Sequence, residues 1–192
     1  MSAHPIPQLS PERYLEIERG NDFRSEYYDG QMHAMSGGTV AHSMLITAMG
    51  SVLRSALRNG PCRVAVSDLL VRVSAGGPFV YPDVSVTCGE MKLADDRRDV
   101  LLNPTAIVEI LSKSTEAHDR GRKFSYYRQI ESLQEYILVS QSEPRIETFL
   151  RELDGRWTMT EYTGTDATCV CRSTNREIPL AEIYESVPLP SE

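Results

Sequence analysis

Four short runs rich in β-branched residues occupy the middle of the chain and constrain its fold more than any other feature. They are CRVAVSDLLVRV (residues 62–73), FVYPDVSVTC (79–88), TAIVEILS (105–112) and EYILVS (135–140). Runs of this length and composition predict β-strands. Because each apolar strand needs neighbours to satisfy its backbone hydrogen bonds, the chain is expected to build a sheet.

The segments around these runs predict helices. The segment at 10–20 starts with Ser10 in the N-cap position and Pro11 in the first helical position. The segment at 39–61 repeats apolar residues at spacings of three and four, which predicts an amphipathic helix. A third helix is predicted within residues 114–130.

Two Asp-Gly pairs, Asp29-Gly30 and Asp154-Gly155, each separate two short runs and predict tight hairpins. Together, the elements predict an α/β (α+β mixed) fold, with a central mixed sheet flanked by helices. No linker or repeat divides the sequence, so we expect a single domain over residues 1–192, with its core between about residues 10 and 185.

The chain of 192 residues carries 27 acidic and 20 basic residues, for a net charge of −7. This balance argues against a protein that coats nucleic acid electrostatically, although it is compatible with an enzyme that cuts nucleic acid. No apolar run is long enough to span a membrane. The N-terminus shows no secretory signal, so we expect a cytoplasmic protein.

The four cysteines, Cys62, Cys88, Cys169 and Cys171, are expected to be reduced and to act as small apolar residues. If Cys169 and Cys171 lie in a strand, both point to one face. A zinc site there is a weaker alternative, because no second pair of ligands accompanies them.

Each of two apolar runs contains one carboxylate, Asp83 after Pro82 and Glu109 between Val108 and Ile110. A bare charge in a buried strand is costly, and two facing carboxylates repel each other unless a cation lies between them. Mg²⁺ is commonly held by one or two carboxylates. Alternatively, each carboxylate faces water at a strand end or pairs with an arginine.

Lys123, in the predicted helix at 114–130, is the basic residue that we expect to reach the two carboxylates. It could orient a water molecule and stabilise charge that develops on a phosphate. Alternatively, it belongs to a solvated basic face of the helix, together with Arg120, Arg122 and Arg128. Lys113 is closer to Glu109 in sequence, but a position in the turn after the strand makes it the second choice. We expect Asp119, at the start of the helix, to interact favourably with the helix dipole. We expect His42 to pack at the edge of the core.

The chain resembles the Uma2 (Uma-two) family of bacterial endonucleases, in the PD-(D/E)XK nuclease superfamily. The resemblance covers about residues 14–184, and the most specific stretch reads VEILSKSTEAHDRGRKFSYY (108–127). The superfamily's usual strand lysine, two places after the acid, is replaced by Leu111. The resemblance therefore implies that the lysine has moved to Lys123.

The resemblance implies a restriction-endonuclease-like fold and a metal-dependent endonuclease that hydrolyses phosphodiester bonds, with DNA as the expected substrate. It implies Mg²⁺ (or Mn²⁺) held by Asp83, Glu109 and the carbonyl of Ile110, with Lys123 as the third catalytic residue. Glu26 resembles a recurring acid of the family, and Asp68 could line the same cleft, with a capping or turn role as the alternative for both. A homodimer is expected, since nucleases of this fold often pair. The alternative is a catalytically inactive nucleic-acid-binding or regulatory domain.

Overall fold

The computed structural model describes residues 8–190, and its helices lie at both ends and between the strands. None of the described helices has the length and apolar character that crossing a membrane requires. The helices are α1 (Pro11–Glu18), α2 (Val40–Ala56), α3 (Glu116–His118), α4 (Phe124–Tyr127) and α5 (Leu180–Tyr184), and a π-helical segment (Asp119–Lys123) joins α3 to α4.

The described strands form three sheets. Six strands build the central sheet in the order β11-β10-β9-β8-β6-β3, five build a second sheet in the order β2-β1-β5-β4-β7, and β12 pairs with β13. The strands are β1 (Ser25–Tyr28), β2 (Gln31–Ala34), β3 (Cys62–Val66), β4 (Leu70–Arg72), β5 (Phe79–Val80), β6 (Val84–Cys88), β7 (Val100–Leu101), β8 (Ala106–Leu111), β9 (Glu135–Ser140), β10 (Arg145–Arg151), β11 (Trp157–Thr163), β12 (Thr168–Cys171) and β13 (Arg176–Pro179).

The central sheet is mixed, which confirms the predicted fold class. Its β8 and β9 are parallel, and its other neighbouring strands are antiparallel. The helices predicted before and after the first hairpin are present as α1 and α2. Both predicted Asp-Gly hairpins are also present. At the first turn, Asp29 and Gly30 have φ of 54° and 75°. Such positive values suit the tight turns that match the twist of a hairpin.

Each face of the central sheet is covered by a separate apolar cluster. On one face, α2 and α5 pack against the sheet through residues such as Leu45, Leu53 and Ile183. On the other face, the second sheet and α4 pack against it through residues such as Val80 and Tyr127. Side chains of β8 alternate between the two clusters, as a strand that is buried on both faces requires.

Two of the four β-branched runs are broken, which corrects the expectation that each is one strand. The run at 62–73 divides at Ser67, where φ is 54°, so that β3 joins the central sheet and β4 the second sheet. The run at 79–88 divides between β5 and β6 at residues 81–83. Pro82 has no N–H group to give to a sheet, which favours a break there. Asp83 therefore lies directly before β6 rather than inside a strand.

The expectation that all four cysteines are reduced is wrong for Cys62 and Cys88, which form a disulfide. These two residues are partners in the antiparallel register of β3 and β6. The sequence did not reveal the pairing because it depends on that register. Cys169 and Cys171 are free and buried on one face of β12, as alternation in a strand predicts.

Candidate active site

The side chains of Asp83 and Glu109 open onto the same cavity, whose volume is about 370 Å³. Val84 of β6 pairs with Val108 of β8 in antiparallel register. One further step along this register places Asp83 opposite Glu109, and directly opposed residues share a face of a sheet. The two carboxylates that the sequence singled out therefore meet where β6 begins.

The carboxylate of Asp83 is held by hydrogen bonds on both oxygens. Its Oδ2 accepts from the backbone N–H of Ile110 at 2.7 Å, and its Oδ1 lies 3.2 Å from Nε2 of His42. The backbone contact ties Asp83 to the residue that follows Glu109. As a result, the position of Asp83 depends on the pairing of β6 with β8.

Glu109 is buried in β8, with 3% of its surface exposed. Its Oε1 accepts a hydrogen bond from the hydroxyl of Tyr127 at 2.6 Å and lies 2.9 Å from Nζ of Lys123. Burial raises the pKa of Glu109 well above its usual value, and the nearby Asp83 and Asp119 raise this pKa further. The lysine and the tyrosine oppose this shift.

Lys123 connects the site to the second sheet. Its Nζ lies 2.9 Å from Oε1 of Glu109 and 3.0 Å from Oε1 of Glu26 on β1. Burial lowers the pKa of Lys123, but Glu109, Glu26 and Asp119 outweigh that effect and raise the pKa well above its usual value. Lys123 is therefore an ammonium ion enclosed by carboxylates.

Carboxyl groups outnumber ammonium groups around this cavity, which three histidines also line. It is lined by the carboxylates of Glu26, Asp83, Glu109 and Asp119, and by the ammonium of Lys123. This excess of negative charge and the carboxylate oxygens themselves fit Mg²⁺, which needs only one or two protein carboxylates. Within residues 8–190, no group of three or more His, Cys, Asp or Glu side chains has the arrangement of a complete metal site. The fit therefore depends on two carboxylates.

Of the three lower-ranked candidates, Glu26 lines the cavity, whereas Asp68 and Lys113 do not. Glu26 lines it and also accepts a hydrogen bond from the backbone N–H of Tyr81 at 3.0 Å. Asp68 lies outside it and pairs with Arg24 on the surface. Lys113 is exposed in the turn after β8 and also lies outside it.

His42 and Asp119 line the cavity, although the sequence analysis predicted other roles for them. His42, in the first turn of α2, contacts Asp83 instead of only packing at the core edge. That contact raises the pKa of His42 above its usual value, in spite of burial. Asp119 is 4% exposed and lines the cavity, and burial raises its pKa. The acidity of the segment was visible in the sequence, but the direction of its side chains was not.

Comparison with known proteins supports the assignment of a family. Residues 11–181 match the Uma2 family, described as "Putative restriction endonuclease". Two proteins of Synechocystis sp. (strain ATCC 27184 / PCC 6803 / Kazusa) are similar to this chain. "Uncharacterized protein slr1290" is 38% identical over 84% of each chain. "Uncharacterized protein sll1609" is 31% identical over 83% of this chain and 90% of its own.

A solved structure shares the fold. It is described as the "Crystal structure of a putative nuclease belonging to DUF820 from Anabaena variabilis ATCC 29413". The TM-score is 0.75 at 16% sequence identity, and the match covers 94% of this chain and 98% of the other. The fold is therefore restriction-endonuclease-like, as the resemblance implied. Because the family match spans most of the sequence, the chain belongs to the Uma2 family.

Proposed function

We propose that this protein is a metal-dependent endonuclease that hydrolyses phosphodiester bonds of nucleic acid, with DNA as the expected substrate. Membership of a family described as restriction endonucleases supports the nuclease activity. The observation that carries the proposal is the convergence of Asp83, Glu109 and Lys123 on one cavity with an excess of negative charge. We infer a divalent cation, Mg²⁺ or Mn²⁺, from that charge.

The oxygens that would hold the cation belong to Asp83, Glu109 and the backbone carbonyl of Ile110. When bound, such a cation polarises the phosphoryl group and lowers the pKa of a water molecule. The hydrogen bond from the N–H of Ile110 fixes the carboxylate of Asp83 in the direction of the cavity. Preorganisation of this kind reduces the reorganisation that the reaction needs.

Lys123 supplies the positive charge that the protein itself contributes to the reaction. Its ammonium donates hydrogen bonds, so it can orient the attacking water and stabilise the charge that develops on the phosphate. Glu26 and Glu109 hold Nζ at 3.0 and 2.9 Å. Tyr127 donates a hydrogen bond to the same oxygen of Glu109, Oε1, and so also restricts the carboxylate.

Cleavage assays test the activity. Plasmid, single-stranded DNA and RNA are incubated with Mg²⁺ or Mn²⁺, and we expect cleavage by the wild type but loss of at least 100-fold in rate for Lys123→Ala, in keeping with the effect of removing one electrostatic stabiliser. Lys113→Ala is the matched control, because this lysine is exposed and outside the cavity. Equal rates for Lys123→Ala and Lys113→Ala would refute the assigned role of Lys123.

Calorimetric titration tests the metal separately from catalysis. We expect Mg²⁺ or Mn²⁺ to bind the wild type and Asp68→Ala, in which an exposed acid outside the cavity is removed. We expect no measurable heat for Asp83→Ala. Equal heats for wild type and Asp83→Ala would favour the alternative function, an inactive nucleic-acid-binding or regulatory domain that retains the fold.

The proposal includes three further properties. We propose one domain over residues 1–192 with its core between about residues 10 and 185, a homodimer, and a location in the cytoplasm. Nucleases of this fold often pair, and homodimers are the commonest assemblies. Light scattering coupled to size exclusion would measure the mass, and a mass near 21.5 kDa would contradict the dimer.

A further inference from the structure

We propose that the cavity accepts an unpaired nucleotide, and that the aromatic wall formed by Tyr28 and His33 stacks against its base. This inference rests on the proposed nuclease function and specifies its substrate as a single-stranded or locally opened nucleic acid. We expect intact duplex to be a poor ligand.

The aromatic wall is part of the hairpin that also carries Glu26. Glu26 and His33 are paired across β1 and β2, and Tyr28 lies two residues beyond Glu26, so the three side chains share a face. All three line the cavity. Tyr28 lies roughly 7 Å along the strand from Glu26, which contacts Lys123. A nucleotide whose phosphate lies at Lys123 can span this distance, so that its base reaches Tyr28.

The rings of Tyr28 and His33 are stacked face to face, so a base can extend this stack only on an outer face of the pair. Their centroids are 3.9 Å apart and their planes differ by 7°. Both side chains are half-buried, and both border the cavity rather than the apolar core. Aromatic surfaces of this kind bind bases of any sequence, because every base has a π-face.

Cationic and polar groups lie around this wall. The guanidinium of Arg122 is 5.1 Å from the ring centroid of Tyr28 and is held by Asp29 at the hairpin turn. His118 borders the cavity 5.5 Å from Tyr28. Its Nε2 is buried without a hydrogen-bond partner within residues 8–190. A buried polar atom without a partner is costly, and a polar edge of a bound nucleotide would satisfy it.

The depth of the catalytic groups favours an unpaired strand. Glu109 and Lys123 are 3% and 6% exposed. A phosphate can therefore reach them only by entering the recess between the hairpin and the turn that follows β8. A duplex resists such entry because its bases are paired and stacked, and extruding one nucleotide has an energetic cost. A single strand enters without that cost.

Fluorescence anisotropy with labelled oligonucleotides tests the inference. Wild-type protein is titrated against single-stranded DNA, the matching duplex, an RNA of the same sequence and an abasic DNA of equal length. The titrations are made with EDTA and with Ca²⁺, so that the readout is binding rather than cleavage. We expect the single strands to bind at least 10-fold more tightly than the duplex and the abasic strand, which has phosphates but no bases to stack.

Variants separate stacking from charge. Tyr28→Leu is expected to weaken binding of single-stranded DNA by about 5- to 100-fold, the range for loss of one base–aromatic stack, and Tyr28→Phe to bind as wild type. The affinity of Arg122→Ala for single-stranded DNA is compared with that of the control Arg156→Ala. Each arginine pairs with a nearby aspartate, but Arg156 lies on the β10–β11 hairpin and not beside Tyr28. Circular dichroism checks that each variant is folded, and His33→Ala replaces Tyr28→Leu if the latter is not.

The outcomes separate this inference from the nuclease proposal. Duplex binding as tight as single-strand binding, an abasic strand that binds equally well, or wild-type affinity in Tyr28→Leu would each overturn the inference and leave cleavage to be judged by its own assay. Single-strand binding through Tyr28 without any cleavage would support the inference and refute the nuclease proposal. Comparison of the DNA and RNA strands shows which sugar the site accepts.

Discussion

At the scale of single residues, Glu109 and Lys123 form a buried ion pair whose members depend on each other. Each is less than 7% exposed, and Nζ lies 2.9 Å from Oε1. Removing the charge of Lys123 leaves Glu109 uncompensated in a low-dielectric interior, which is costly. Lys123 has a second partner in Glu26, so loss of the lysine leaves two carboxylates facing each other.

We expect Lys123→Met to lower the free energy of unfolding by about 3–5 kcal/mol at neutral pH, because the stem is retained but the charge is lost. Adding Glu109→Gln to this variant should recover part of the loss, because the uncompensated carboxylate is then neutral. Urea unfolding of the wild type, both single variants and the double variant gives the coupling energy. Lys113→Met, an exposed change, should alter stability by no more than about 0.5 kcal/mol.

Additive effects of Lys123→Met and Glu109→Gln would contradict the pairing. Such a result would mean that the two side chains do not interact in solution.

The sequence predicted the two principal acids because a carboxylate within an apolar run needs a physical explanation. It did not predict Asp119 or His42 in the same cavity. An aspartate at a helix start and a histidine in the first turn of an amphipathic helix each have ordinary roles. Their actual roles depend on where α2 and the π-helical segment pack, and that depends on contacts between residues far apart in sequence.

At the scale of elements, the π-helical segment determines which side chains enter the cavity. It spans Asp119–Lys123, and both of its end residues are buried at the site. Such segments occur frequently at functional sites. Arg120, in the middle, binds Glu147 of β10 through two nitrogens, with Nη2 2.8 Å from Oε1. The segment is therefore fixed to the central sheet.

Glu147→Gln tests that attachment through its pH dependence. The hydrogen bonds from Arg120 lower the pKa of Glu147 below its usual value of 4.5, so its stabilising effect is present above that pH and is lost as pH falls through the lowered pKa. We expect the variant to be less stable by about 1–3 kcal/mol at pH 7. The difference from wild type should shrink below about pH 4.5.

Chemical unfolding at intervals from pH 7 to pH 3 measures this difference. A difference that stays constant across that range would show that Glu147 is not ionised in the pair. Glu161→Gln, on the neighbouring strand and 46% exposed, is the control and should change stability little at any pH.

Gly121 offers a stabilising change in the same segment. A Cβ added there would meet nothing within 4 Å, and its φ is not positive. Gly121→Ala should therefore raise the free energy of unfolding by about 0.4–1 kcal/mol, by restricting the unfolded chain. Gly77→Ala is the contrast, because φ is +87° and the Cβ would lie 3.0 Å from Tyr27. The midpoint of thermal unfolding should rise for Gly121→Ala and fall for Gly77→Ala. A lower midpoint for Gly121→Ala would contradict the prediction that a Cβ fits there without a clash.

The elements also show where sequence patterns are sufficient. Long periodic segments such as α2, and short hairpins with Asp-Gly turns, were predicted because their signals are local. The runs at 62–73 and 79–88 each supply strands to two different sheets, because the chain turns at Ser67 and after Pro82. Their composition is that of a strand on both sides of the turn, so composition could not locate the break.

At the scale of the whole molecule, the disulfide between Cys62 and Cys88 connects β3, at the edge of the central sheet, to β6, the strand that follows Asp83. It joins two residues that are 26 positions apart and so closes a loop that includes β4 and β5 of the second sheet. The bond therefore spans the segment that crosses between the two sheets. A disulfide persists in oxidising surroundings, whereas the proposed cytoplasmic location is reducing. The disulfide and the proposed cytoplasmic location therefore imply different redox states for Cys62 and Cys88.

Counting thiols decides between them. We expect no rapidly reacting thiol in the folded protein, because Cys169 and Cys171 are buried and burial raises the pKa of Cys171 to about 12. Two thiols should react after unfolding and four after unfolding with a reductant. Reduction should lower the free energy of unfolding by about 3–4 kcal/mol through the loop that it opens, and the double variant Cys62→Ser/Cys88→Ser should not respond to the reductant. Four reactive thiols in unfolded protein purified without a reductant would show that β3 and β6 are held together by their hydrogen bonds and packing alone, which is the state that a reducing cytoplasm favours.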